Sequence, residues 1–257
     1  MPFCNNLWKI KVFLEFFLSP SFTPTQPWLK ELVKVLQQPL PKHDSFLNIY
    51  KEFTKDNSPL EFIDPGSKGG YVQSTVKEVF IRTTKPPRDA YRLARLASFI
   101  QAKCIMELGS AFGTTALMLK HINPQSHVIA VEGVPEIAAY IEKIKKNFNY
   151  AIEVWNMLFK DAISYANEKA LKCDFVFLDG HHEPRATDDY IHNIIPLLDD
   201  EAILVIDDIH YTPHMHKWWQ SFFPSSFVIK ITTWDAGILI KTQNFSERKN
   251  FHAKILL

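Results

Sequence analysis

The chain has 257 residues, 46% apolar and 22% charged, with a formal net charge of +1. That length suits one sizeable α/β domain with a smaller attachment. The charge balance excludes a global field that would gather nucleic acid or an acidic membrane surface, so no nucleic-acid partner is expected.

Residues 10–18 are apolar but interrupted by Lys11 and Glu15, and the stretch is far too short to span a bilayer. Pro20, Phe22 and Pro24 follow in place of the small residues of a signal cleavage site. An amphipathic helix docked on the domain is expected, with no membrane span. Trp28, Leu29, Leu32, Val33 and Leu36 recur at helical spacing. Asp64-Pro65-Gly66-Ser67-Lys68-Gly69-Gly70 reads as a mobile loop. Residues 64–85 are either a lid over the site or a plain linker. The chain divides near residue 86: residues 1–85 are expected as a helical extension and 86–257 as the main domain.

Pro86-Pro87 marks a start, and residues 90–99 look helical. Beyond Cys104 the pattern turns regular. Strand-like runs fall at 104–108, 127–132, 152–155, 174–178, 202–206, 227–233 and 237–241. Helical stretches fall between the first six, at 114–121, 135–148, 159–171, 185–198 and 214–222. Such alternation predicts a mostly parallel sheet covered on both faces. Only Asp235 and Ala236 separate the last two runs, which should therefore pair antiparallel. The expected fold class is α/β, a Rossmann-like seven-stranded sheet with a terminal antiparallel hairpin and an N-terminal helical extension. Cys104 and Cys173 adjoin apolar runs and, with Cys4, are too few and too widely spaced for a disulfide framework or a zinc site. Buried free thiols in a reducing cytoplasm are expected.

The strongest local signal is Glu107-Leu108-Gly109-Ser110-Ala111-Phe112-Gly113, which follows the first strand and opens a helix. Gly109 can turn sharply and let a ligand approach the backbone, and Gly113 would let the helix pack closely. A dinucleotide fingerprint would need glycine at position 111, where this chain has alanine. That favours a ligand without a bare pyrophosphate, unless the turn is merely structural. Glu132 ends the second strand, where a carboxylate can accept both ribose hydroxyls of an adenosine. Asn156 and Phe159 follow the third strand, where an adenine would lie, although Phe159 also suits the core.

Two further segments, Phe177-Leu178-Asp179-Gly180-His181-His182-Glu183 and Val205-Ile206-Asp207-Asp208-Ile209-His210, put acids at strand ends, the edge where open α/β sheets bind ligands. If those strands are neighbours, Asp179, Asp207 and Asp208 converge and need a cation, a proton or a substrate amine between them. A divalent metal such as Mg or Mn is one solution, and a softer first-row metal is another. Asp207 acting as a helix cap, with the other two solvated, is the alternative. Asp179, His182 and His210 are the candidate catalytic residues, since either imidazole can take a proton from a substrate hydroxyl or amine near neutral pH.

Taken together, residues 86–241 resemble a class I methyltransferase, of the branch similar to small-molecule O-methyltransferases. The resemblance implies methyl transfer from S-adenosylmethionine to a small-molecule acceptor, with Glu107, Gly109, Ser110 and Glu132 on the cofactor. Gly113, Asn156 and Phe159 complete the expected cofactor set. Cation-dependent members use an aspartate at the position of Asp179 and an Asp-Asn pair where this chain has Asp207-Asp208. No lysine matches the base that some of them carry near the first aspartate; His181 and His182 stand there. Two rivals share the fold: aminopropyl transfer, and a binding module without turnover. A homodimer stays open.

Overall fold

The computed structural model describes residues 8, 12–14, 16, 26–39, 46–66, 69–245 and 247–253. Of the apolar N-terminal stretch, Val12, Phe13, Leu14 and Phe16 are described, and all four are helical. Val12 and Phe16 are buried while Phe13 and Leu14 are exposed, the one-sided burial of a docked amphipathic helix. Helix α1 (Pro27–Gln37) buries Leu29, Leu32 and Leu36, and α2 (Leu47–Phe53) buries Ile49, Tyr50 and Phe53.

The extension is not wholly helical as expected. Strands β1 (Pro59–Asp64) and β2 (Gly70–Thr75) form an antiparallel hairpin in register from Pro59↔Thr75 to Asp64↔Gly70. In β1, buried Leu60 and Phe62 alternate with exposed Glu61 and Ile63, the period of two that makes a strand. The expected loop is the turn of this hairpin. Asp64 Oδ1 accepts a 2.8 Å bond from the Gly66 amide there; Ser67 and Lys68 lie outside the described residues. Helix α3 (Val76–Thr83) opens with a reciprocal cap between Thr75 and Glu78. Lys85 follows, and then α4 (Pro87–Phe99).

The regular part then runs β3 (Cys104–Leu108), α5 (Thr114–Ile122), β4 (His127–Val131), α6 (Pro135–Asn147), β5 (Glu153–Trp155), α7 (Phe159–Glu168), β6 (Cys173–Leu178), α8 (Pro184–Ile194), β7 (Leu198–Ile206), α9 (Pro213–Ser221), β8 (Ile229–Thr232), β9 (Gly237–Lys241) and β10 (Lys249–His252). The strand order is β10-β8-β9-β7-β6-β3-β4-β5. Strand β9 runs antiparallel to both β7 and β8; the remaining pairs of this sheet are parallel. All seven expected strands are present, and the short β10 beside β8 makes eight. Its sequence, Lys-Asn-Phe-His, carries no apolar alternation that would have announced it.

Each face of the sheet has its own core. Ile105, Phe175, Phe177 and Val205 pack on one face with α1–α6, including Leu32 and Ile49 of the extension. Met106, Val176, Leu178 and Leu204 pack on the other with Ile163, Ile191 and Trp219. Cys104 and Cys173 are buried free thiols whose sulfurs lie 3.1 Å apart; Cys4 lies outside the described residues. Among the described residues no helix is long and apolar enough to cross a membrane.

Candidate functional site

The chain proceeds from β3 outwards to β4 and β5, then returns to the other side of β3 with β6. A cleft opens at such a reversal, outside the carboxyl ends of the strands. The strand ends are stitched together there. Gly109 and Ser110 donate to the Val131 carbonyl at 3.0 and 2.9 Å, Asp179 to Leu108 at 2.8 Å, and Asp207 to Leu178 at 2.9 Å. Gly109, Asp179 and Asp207 therefore stand in successive rows of one edge.

Gly109 has φ +95°, and a Cβ on it would sit 1.8 Å from the Asp179 carbonyl oxygen. The glycine is thus required by the neighbouring backbone, whatever ligand occupies the cleft. Gly113 has φ +76°, and its missing side chain makes room for Ile141 of α6 rather than for the strand beneath. Glu132 is bonded to the same turn: Oε2 accepts from Ala111 N at 2.8 Å and Oε1 from Val134 N at 2.8 Å. Burial raises its pKa to about 7 against these bonds. A carboxylate has about four acceptor positions, so hydroxyl donors can still be taken. Glu107 is buried, its Oε2 has no hydrogen-bond partner, and burial pushes its pKa up to about 8.

Asn156 donates through Nδ2 to the Glu132 carbonyl at 2.8 Å and so holds the ends of β4 and β5 together. Phe159 lies under Gly109 and Gly180, within 3.2 and 2.9 Å of where their Cβ atoms would be. The hairpin reaches this region as well. A Cβ on Gly133 would meet Leu158 at 3.2 Å and Pro65 at 3.4 Å.

The acids of β6 and β7 do converge, with a cation among them that the sequence did not announce. Lys85 Nζ lies 2.7 Å from Asp207 Oδ1, both side chains nearly buried at 11% and 6% exposure. Burial opposes the ammonium, but Asp207, Asp179 and Asp235 together hold the Lys85 pKa above its usual value. Asp179 is pushed well above the usual carboxylate range, first by burial and then by the Asp207 charge. Opposite Asp207, one of the three acids expected to hold a metal with Asp179 and Asp208, stands the chain's own ammonium. Among the described residues no group of three or more His, Cys, Asp or Glu could hold a metal. One signal was available in the sequence, the need of a buried acid cluster for a counter-charge; its source, more than ninety residues upstream of Asp179, was not readable from spacing.

His182 belongs to this cluster, with Nε2 3.6 Å from Asp208 Oδ2 and 3.9 Å from Asp179 Oδ1. His181, His182 and Asp208 have φ of 67°, 28° and 52°, values that non-glycine residues rarely adopt and that gather at functional turns. His210 turns elsewhere. Its Nδ1 lies 2.9 Å from Nδ1 of His216, and burial, helped by His216, lowers its pKa to about 4. It is neutral at pH 7 and a weak base, unlike the neutral-pH base expected. His210 instead lines a cavity of 190 Å³ with Trp8, Tyr211, Trp234, Asp208 and Asp235, beside the acid cluster.

Comparison with known proteins agrees with this fold. Residues 106–209 match a family model described as a methyltransferase domain. No curated protein sequence matches the chain. Many solved structures share its fold, among them the following three. An O-methyltransferase from Streptomyces achromogenes involved in tomaymycin synthesis, in complex with SAM, is 17% identical, with a TM-score of 0.54 over 62% of this chain and 82% of its own. A Podospora anserina methyltransferase bound to SAH is 12% identical, with a TM-score of 0.57 over 86% and 98%. A Bacillus cereus O-methyltransferase in complex with SAH is 14% identical, with a TM-score of 0.53 over 90% and 96%.

Proposed function

We propose that this chain is a class I methyltransferase that takes its methyl group from S-adenosylmethionine and delivers it to an oxygen of a small-molecule acceptor bound beside Asp179 and His182. The observation that carries the reading is the bond from the Ala111 amide to Glu132, which locks the Gly109 turn to the end of β4 next to the acids of β6. Glu132, the Gly109-Ser110 backbone and the unpartnered Glu107 Oε2 form a cradle suited to a polyhydroxylated, phosphate-free ligand. Asn156 and Phe159 would border its adenine, and Gly113 keeps the helix behind it in place. When bound, S-adenosylmethionine supplies an electrophilic sulfonium methyl carbon.

The chain's own residues do the rest. The aromatic-walled cavity of Trp8, Tyr211, Trp234 and His210 orients the acceptor. His182, held between Asp179 and Asp208, would take the proton of the acceptor oxygen as that oxygen received the methyl group the bound cofactor would supply. Positioning supplies most of the rate, with the base adding to it. The contact of Pro65 with the Gly133 position supports reading residues 59–66 and 69–75 as a lid over the cleft that excludes water. The two buried free thiols support a cytoplasmic setting.

The test is incubation with methyl-labelled S-adenosylmethionine and panels of hydroxylated and amine acceptors. Labelled product from hydroxylated acceptors is expected. Aminopropyl transfer from the decarboxylated cofactor would replace this reading with its first rival. Tight cofactor binding without product on any panel would replace it with the second.

A further inference from the structure

The acid cluster at the ends of β6 and β7 has the composition that ordinarily invites a divalent ion, yet its charge is answered from inside the chain. Lys85 stands between α3 and α4, at a junction that leaves it little freedom. The Thr84 amide closes α3 on the Phe80 carbonyl at 3.0 Å, and Pro86 confines the residue before it to extended backbone. From there the side chain runs beneath the strand ends. Its Nζ sits 5.8 Å from the Phe177 ring centroid and 2.7 Å from Asp207 Oδ1. Asp207 is itself anchored by its amide on Leu178, so neither partner can swing away without leaving a charge buried alone.

We infer that Lys85 is a built-in substitute for a divalent cation: its ammonium fills the position opposite Asp207 and Asp179 where a metal would have to sit, so the site is complete without a metal and closed to one. A hard cation needs carboxylate oxygens at 2.0–2.6 Å. Asp207 Oδ1 already faces an ammonium, and a doubly charged ion beside that ammonium meets direct repulsion. Lys85 is thereby a positioning residue. It holds Asp207 in place beside the acceptor cleft, and leaves Asp179 and Asp208 to His182. The inference rests on the proposed reading only in calling this side of the cleft the acceptor side.

The test uses Mn²⁺ as the probe, followed by electron paramagnetic resonance on the full chain. Wild-type protein should show no stoichiometric binding below millimolar Mn²⁺, and its affinity for S-adenosylhomocysteine should be unchanged by chelator. Lys85→Gln, which removes the charge and is one atom shorter, should open the cluster and tighten Mn²⁺ binding by about tenfold or more. Lys85→Arg should stay closed. Stoichiometric submillimolar Mn²⁺ binding by the wild type would overturn the inference. So would a folded Lys85→Gln, normal by circular dichroism and cofactor binding, that gains none. If Lys85→Gln does not fold, the wild-type and Lys85→Arg titrations decide the matter in the same terms. Failure of the methyltransferase reading would appear separately, as absent S-adenosylhomocysteine binding.

Discussion

The two sides of the cleft are assembled differently. On the β3–β4 side, the Gly109 turn and Glu132 come from consecutive strand–helix units and are joined by bonds to the Ala111 and Val134 amides. On the β6–β7 side, Asp179, Asp207 and Asp208 come from consecutive units too, but they are completed by Lys85 from before the first strand of the sheet. The first side satisfies Glu132 with nearby backbone; the second answers Asp207 with a full charge from elsewhere. Backbone donors come with the local fold, whereas a counter-ion must be delivered by tertiary packing.

The sharpest break of this contrast is Gly109→Val. Its side chain would collide with the Asp179 backbone, which joins the two sides. A loss of about 3–5 kcal/mol in unfolding free energy is expected, read by denaturant titration. A well-folded variant that merely loses cofactor would show that the glycine serves the ligand and not the junction.

The same residue measures how far the sequence could be read. The motif, its place after β3 and its pairing with Glu132 were legible because strand, turn and helix fall within one short window. The seven main strands followed from apolar runs for the same reason. The β1–β2 hairpin was missed although Leu60 and Phe62 alternate correctly, since proline- and glycine-rich flanks masked so short a run. Lys85 was missed because a lysine before Pro86-Pro87 reads as a surface residue until its 2.7 Å partner is seen. The loop histidines His182 and His210 looked equivalent in sequence; burial against His216 and Trp234 separates them.

A smaller effect is expected from Glu132→Ala. It should weaken cofactor binding by about 1.5–3 kcal/mol, as a lost charged acceptor would, while folding persists. Calorimetry of the variant measures this, and unchanged affinity would remove Glu132 from the cradle. On the other side, His182→Ala should lower kcat by about tenfold to a hundredfold with cofactor affinity intact, whereas His210→Asn should act mainly on the acceptor KM. Equal losses of kcat in both would erase the distinction drawn between them.

The mildest effect is on stability against pH. Burial raises Glu107 from 4.5 to about 8 and Glu132 to about 7. The folded state therefore keeps protons that the unfolded state releases, and this stabilisation is lost as pH rises through 7 to 8. His210, lowered from 6.5 to about 4, acts in the opposite sense and costs stability as pH falls from 6.5 towards 4. Glu107→Gln should flatten the alkaline limb, raising the melting temperature at pH 8.5 by roughly 5 °C relative to wild type. Parallel melting curves across pH 6 to 9 would contradict it.

The central claim is that the Gly109 turn and Glu132 form the seat of S-adenosylmethionine. Calorimetric titration of the wild-type chain with S-adenosylhomocysteine tests it most directly. The account predicts one site of micromolar affinity, about −7 to −8 kcal/mol. No heat and no thermal shift at millimolar ligand would contradict it.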